Sequence, residues 1–145
     1  MDAAAVSARI TTSLPGVQTT EAYGYTFFFV GDERVMPFAT LTGRDNEHDA
    51  FSNLSRGGLW RLNLGVEKAT FLERFGAPPA LGPTGVIEPG HDWTQRDVLL
   101  PHPQYAPQSW VCIVSPSDAT FESTALPLLA EAHALAARRQ ARKEG

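Results

Sequence analysis

The spacing of apolar and polar positions changes period several times along the chain, and each change marks an element. In residues 2–14, Val6, Ile10 and Leu14 fall on one stripe behind Asp2 and a run of alanines, which predicts a short helix with Asp2 in its first turn. Pro15-Gly16 ends it. Residues 17–21 read as a weak strand of β-branched and polar residues. YTFFFV at 25–30 reads as a strong strand that is apolar on both faces, followed by a Gly31-Asp32 turn. MPFATLT at 36–42 is a third strand, with Pro37 near its start or on an edge, where a missing N–H is tolerated.

After a polar, turn-rich stretch at 43–58, LWRLNLGV at 59–66 alternates cleanly. Trp60, Leu62, Leu64 and Val66 point one way; Leu59, Arg61, Asn63 and Gly65 point the other. A short helix over 67–75 follows, with Ala69, Leu72 and Phe75 inward and Gly76 closing it. The unbroken apolar run Trp110-Val111-Cys112-Ile113-Val114 predicts a strand at 109–114 covered on both faces. Ser115-Pro116-Ser117-Asp118 then starts a helix: Ser115 as the hydroxyl cap, Pro116 at the first position and Asp118 at the third. Phe121, Ala125, Leu128, Leu129, Ala132, Leu135 and Ala136 carry that helix to about residue 143. Pro127 falls inside the stripe and should kink the helix, or split it and sit in the first turn of the longer piece.

Between the second helix and the last strand lies a segment without period, residues 76–109, where at most a short strand or turn near 98–100 is legible. Six of the 11 prolines lie between 76 and 104, and a loop longer than ~12–15 residues in a compact domain is usually functional or covering. Three strands expose apolar residues on both faces, so the second face needs a cover. This segment, anchored by Trp93, Leu99, Leu100 and Tyr105, is one candidate; a homodimer interface is the other. The reading is one α+β domain spanning 1–145: a mainly antiparallel five-stranded sheet with helices packed on its Trp60 face, in the order α-β-β-β-β-α-β-α.

Composition adjusts this picture in a few places. Length and a 43% hydrophobic content fit one domain with one core. Net charge is −4, but four of the 12 basic side chains sit at 138–143. The body before residue 138 holds eight basic against fifteen acidic groups, a net −7. An acidic body repels polyphosphate, which disfavours nucleic acid. Arg138, Arg139, Arg142 and Lys143 complement the negative end of the last helix. The single cysteine permits no intrachain disulfide, and there is neither a secretory leader pattern nor an apolar run of membrane-spanning length. A cytoplasmic location with no membrane contact is the expectation.

Candidate chemistry is sparse. The patterns of a P-loop, a dinucleotide fingerprint, a nucleophile elbow or a HExxH zinc site do not occur, so neither cofactor nor metal is expected. Tyr23 to Val30 lacks the leading basic residue of an RNA-recognition strand and reads as a buried strand. Cys112 reads as a small core residue rather than a nucleophile. Asp45 to Asp49 lacks calcium-loop spacing and reads as a solvated loop. What remains is Arg61 and Asn63 on the face opposite Trp60, with His91, His102 and Tyr105 in the covering loop. Together they would form a cleft for a small anionic ligand, gripped by the Arg61 fork. Alternatively, Arg61 and Asn63 are hydrogen-bonding anchors for the loop.

Met36-Pro37-Phe38-Ala39-Thr40, Arg61-Leu62-Asn63-Leu64-Gly65-Val66, His102-Pro103-Gln104-Tyr105 and Gln108-Ser109-Trp110-Val111-Cys112 resemble the signature of a bacterial family of uncharacterised small proteins. More distantly, the element order is similar to that of the MmcQ/YjbR-like proteins. That resemblance implies a fold related to the frataxin-like α+β sandwiches, described as a double-wing DNA-binding fold. The expected function is therefore a binding or interaction domain without legible catalytic groups. The alternatives are DNA binding of the MmcQ/YjbR type, or an enzyme acting on a small anionic ligand.

Overall fold

Turn chemistry sets the first hairpin. In the computed structural model, which describes residues 1–32 and 36–144, β1 (Val17–Ala22) and β2 (Tyr25–Val30) pair antiparallel from Val17↔Val30 to Ala22↔Tyr25. The two residues between them, Tyr23 and Gly24, both take positive φ, 57° and 82°. This is the left-handed two-residue turn whose twist matches that of the flanking strands. β3 (Ala39–Thr42), β4 (Arg61–Gly65), β5 (Leu99–Pro101) and β6 (Trp110–Val114) complete a sheet of order β1-β2-β3-β4-β6-β5 in which every neighbour is antiparallel.

The sheet therefore has six strands, where the sequence pattern yields five. The sixth, β5, is only three residues long and ends in Pro101, so it carries no periodicity. It lies on the outer edge, where a proline costs no ladder bond. The element order becomes α-β-β-β-β-α-β-β-α.

Register fixes the two faces. Phe28, Ala39, Leu64 and Val111 line up across the sheet, as do Leu41, Leu62 and Ile113. These residues form one buried cluster with Trp60, with Val6 and Ile10 of α1 (Ala3–Ser13), and with Leu128, Leu129 and Ala132 of the C-terminal helix. Trp60 is 4% exposed. At ~25 cal/mol per Å² of apolar surface, the burial of such side chains dominates the stability of the domain. Asp2 is the N-cap of α1 rather than a first-turn residue, its carboxylate accepting from Ala5 N–H at 2.8 Å.

α2 (Lys68–Phe75) turns a different stripe inward from the one its spacing suggests. Phe71 is fully buried and its ring packs on Phe75 at 5.3 Å, while Ala69 and Leu72 face outward. Two bonds to Glu131 of the C-terminal helix set that phase: its carboxylate accepts from Glu67 N–H at 3.0 Å and from the Thr70 hydroxyl at 2.8 Å.

The C-terminal helix is capped two residues later than its sequence signals imply. Ser117 is the cap of α3 (Asp118–Thr120), accepting from Thr120 N–H at 3.1 Å. Ser115 (φ 41°) instead bonds back to Trp60 at the end of the sheet. A π-helical turn, Phe121–Ala125, leads without a break into α4 (Leu126–Glu144). Leu126 N–H donates to Phe121 C=O, a reach of five residues. Pro127, in the first turn of α4, has no N–H to give, and the widened turn before it accommodates the missing bond. Lys143, one of the four basic groups assigned to the helix dipole, has a side chain outside the described residues. Among the described residues no helix is long and apolar enough to cross a membrane.

Candidate functional site

The second face of the sheet is built from two cross-strand rows. Tyr25, Thr42, Arg61 and Val114 form one; Phe27, Thr40, Asn63, Cys112 and Leu100 form the other. Arg61 is fully buried there, and a buried guanidinium is tolerable only when its charge and its donors are matched. They are. Nε donates to Asn63 Oδ1 at 2.8 Å, Nη1 to Asp49 Oδ1 at 3.0 Å and to Ser52 Oγ at 3.2 Å, and Nη2 to Asp49 Oδ2 at 2.5 Å. Asn63 Nδ2 in turn donates to Thr40 Oγ1 at 3.0 Å.

Asp49 and Ser52 come from the polar stretch after β3, so that stretch is part of the cover over the second face. Asp49 is 7% exposed, whereas Glu47 and His48 beside it are in solvent. Asp45 is spent on its own loop, accepting from Leu54 N–H at 2.9 Å and from the Ser55 hydroxyl at 3.0 Å. The remaining cover comes from residues 87–104, where Ile87 and Trp93 are buried. Trp93 Nε1 donates to Pro101 C=O at 2.8 Å and its ring meets Phe51 at 6.0 Å.

Between this cover and the β1–β2 hairpin a cleft of about 790 Å³ remains open. Its walls are aromatic: Tyr23, Tyr25, Phe27, Tyr105 and Trp110, with Met36 and Pro37 alongside. Thr40, Asp49 and His102 supply polar surface at its base. Gly65 gives Trp110 its place, since a Cβ there would lie 2.7 Å from the indole nitrogen.

Two electrostatic facts define the base. Burial pushes the Asp49 carboxyl up, but bonds from Arg61, the Arg61 charge and the Tyr25 hydroxyl outweigh it and hold the group below the usual carboxylate range. Tyr25 donates to Asp49 Oδ2 at 2.5 Å and accepts from Asn46 Nδ2 at 3.3 Å. Burial, then the bond to Asp49, pushes its phenol up to about 12. His102 is 3% exposed, and its Nδ1 accepts two backbone N–H bonds, from Gln104 and Tyr105, each at 3.1 Å. A nitrogen that accepts twice carries no proton, so the neutral ring is protonated at Nε2. Burial, reinforced by the Arg61 charge, lowers the His102 pKa to about 3. Nε2–H has no protein partner among the described residues. No fully buried side-chain polar atom is unpaired among them, so Nε2 is reached from the cleft that His102 lines.

Of the residues singled out by sequence, His102 and Tyr105 stand together in the cleft, ring centres 4.9 Å apart. Arg61 and Asn63 lie beneath the base and do not line the cleft; the Arg61 fork is taken by Asp49. His91 is exposed, against Trp93 at 5.9 Å and away from the lining. Sequence reasoning misses Tyr23, Tyr25, Phe27, Asp49 and Trp110. The available signal for Tyr25 and Phe27 is their alternation on one strand, and for Asp49 the need of any buried arginine for a carboxylate. Cys112 is fully enclosed, and burial pushes its thiol up to about 12, which leaves no thiolate for chemistry.

No curated protein and no solved structure matches the sequence. A family does, along residues 1–145. The chain belongs to that family, a family of unknown function designated DUF6194.

Proposed function

We propose that this chain is a small-molecule-binding domain whose cleft recognises its ligand without reacting with it. The observation that carries the reading is the state of the cleft base. The three ionisable groups packed together there are already committed, while Glu47 and His48, which also line the cleft, stand in solvent. Asp49 is locked by Arg61 and Tyr25, Tyr25 holds its proton, and His102 has its one lone pair bound to backbone N–H groups. A general base needs a free lone pair on a group titrating near the working pH, and none of these three offers one. The cleft volume falls within the ~300–1,000 Å³ typical of small-molecule sites.

Exposure supports the same conclusion. Among the described residues seven large hydrophobic side chains are exposed, and three of them, Tyr23, Met36 and Tyr105, line this one cleft. Tyr23 sits 84% exposed at a left-handed turn position that asparagine or glycine would occupy with less strain. Its ring at the cleft edge is what a binding role gains from that cost.

The test uses N-phenyl-1-naphthylamine, a neutral fluorescent aromatic. The expected result is saturable one-to-one binding, with fluorescence enhancement that drops in Tyr105→Ala and Trp110→Ala while both variants stay folded by circular dichroism. Absence of saturable binding, or binding by both variants that is unchanged from the native protein, would refute the proposal.

A further inference from the structure

The shape and charge of the cleft narrow the class of ligand. We propose that the cleft takes a neutral, flat aromatic molecule bearing a carbonyl group, whose oxygen accepts the hydrogen bond offered by His102 Nε2–H. This inference rests on the binding reading above and specifies its ligand.

Three observations converge on it. The first concerns the donor. His102 is nearly completely buried, but its Nε2–H, which has no partner among the described residues, is reached from the cleft. A ligand that covers it without an acceptor leaves a buried donor unpaired, which is costly. The ring is held rigidly by two backbone bonds to Nδ1, so the donor direction is fixed before any ligand arrives. A carbonyl oxygen satisfies it; an alkyl group does not.

The second concerns charge. Arg61, the cation nearest the base, is neutralised by both oxygens of Asp49, and it is the Asp49 carboxylate, not the guanidinium, that reaches the lining. An anionic ligand seated at the base would face that carboxylate. The remaining lining charges, Arg44 and Glu47, are of opposite sign and solvent-exposed. A cationic ligand would meet the positive end of the His102 N–H bond. Neither sign is favoured at the base, and a neutral molecule incurs no such penalty.

The third concerns shape. Tyr105 lies beside His102 with its ring tilted 34° at 4.9 Å, and Trp110 stands edge-on to Tyr105 at 6.4 Å. Across the cleft, Tyr25 and Phe27 are 5.8 Å apart along one strand. Aromatic rings pack on flat partners at such spacings. A carbonyl on a flat ring accepts in the ring plane, so the molecule can keep its faces against the aromatic walls while its edge meets His102.

A matched set of naphthalenes tests this on the unmodified protein by calorimetric titration. 2-Acetylnaphthalene carries the carbonyl and 2-ethylnaphthalene has nearly the same outline without it. 2-Naphthoate is the anion and 2-naphthyltrimethylammonium the cation. The expected result is that 2-acetylnaphthalene binds about tenfold or more tighter than 2-ethylnaphthalene, the ratio set by one buried donor left unpaired, and tighter than either ion. Equal binding of the ketone and the ethyl compound would overturn the acceptor assignment while leaving the binding cleft standing. Preference for either ion would overturn the neutral-ligand assignment in the same way. No binding of any of the four at millimolar concentration would refute the cleft reading itself.

Discussion

Replacing Asp49 by asparagine changes one atom and isolates the charge that holds the cleft base. In the native protein Asp49 accepts two bonds from Arg61 and one from Tyr25, and Arg61 is fully buried. The amide introduced by Asp49→Asn would keep one acceptor and present an NH₂ group where the second oxygen was, leaving a guanidinium charge without its counter-ion. Removing one partner of a buried pair costs ~3–5 kcal/mol, a large part of the ~5–15 kcal/mol that stabilises a domain of ordinary size. Urea unfolding followed by tryptophan fluorescence reads this as a lower midpoint at unchanged slope. The double variant Asp49→Asn/Arg61→Met should lose clearly less than the two single losses added together, because the orphaned charge is gone. A loss below about 1 kcal/mol for Asp49→Asn, the size of an ordinary substitution, would refute the reasoning. So would additivity in the cycle.

Further outcomes follow from the same geometry. Gly65→Ala would place a Cβ 2.7 Å from Trp110 Nε1; the indole must swing out, so Trp110 fluorescence should shift to the red and N-phenyl-1-naphthylamine binding should weaken. Trp60→Ala should cost ~3–5 kcal/mol in urea unfolding, since Trp60 is in the main core; a loss under ~1 kcal/mol would place its weight elsewhere. Acid should destabilise the fold in two stages. The unfolded chain protonates His102 near its ordinary 6.5, but the folded chain only near 3. Stability should therefore fall as pH drops between those values, with a slope of ~1.4 kcal/mol per pH unit from this group. Asp49, held below its usual range, adds a loss below about pH 4, where the unfolded chain takes up its proton first. His102→Phe should flatten the first stage, and urea midpoints from pH 4 to 7 measure it.

The parts of this fold that are legible in sequence are those governed by a local period. Residues 59–66 alternate, and the resulting split between Leu62 and Leu64 on one side and Arg61 and Asn63 on the other is the split between helix face and cleft face. The strong runs at 25–30 and 110–114 fall within β2 and β6. Elements whose placement depends on distant partners escape such a reading. α2 turns Phe71 inward because Glu131, far along the chain, fixes its phase. β5 exists because β6 offers an open edge, and its own three residues give no more than the short strand or turn legible near 98–100. Ser115 has the composition of a cap but is drawn to Trp60 across the sheet.

The cleft divides along the same line. Tyr105 and His102 are visible as polar aromatic groups in a proline-rich segment. The lining by Tyr25 and Phe27 needs the strand order β2-β3-β4, which no local pattern gives. Asp49 sits in a stretch whose neighbours, Glu47 and His48, are in solvent, so its burial is hidden by its surroundings.

At the centre of this picture the cleft base is a closed network with one free donor, His102 Nε2–H. Long-range ¹H–¹⁵N spectra of protein labelled at histidine, recorded at pH 7 with and without 2-acetylnaphthalene, test it most directly. His102 should be neutral, protonated at Nε2 and bare at Nδ1, and only its Nε2 resonance should move strongly when the ketone binds. A His102 ring that is protonated at Nδ1, or doubly protonated at that pH, or that stays unmoved while the ketone binds, would contradict it.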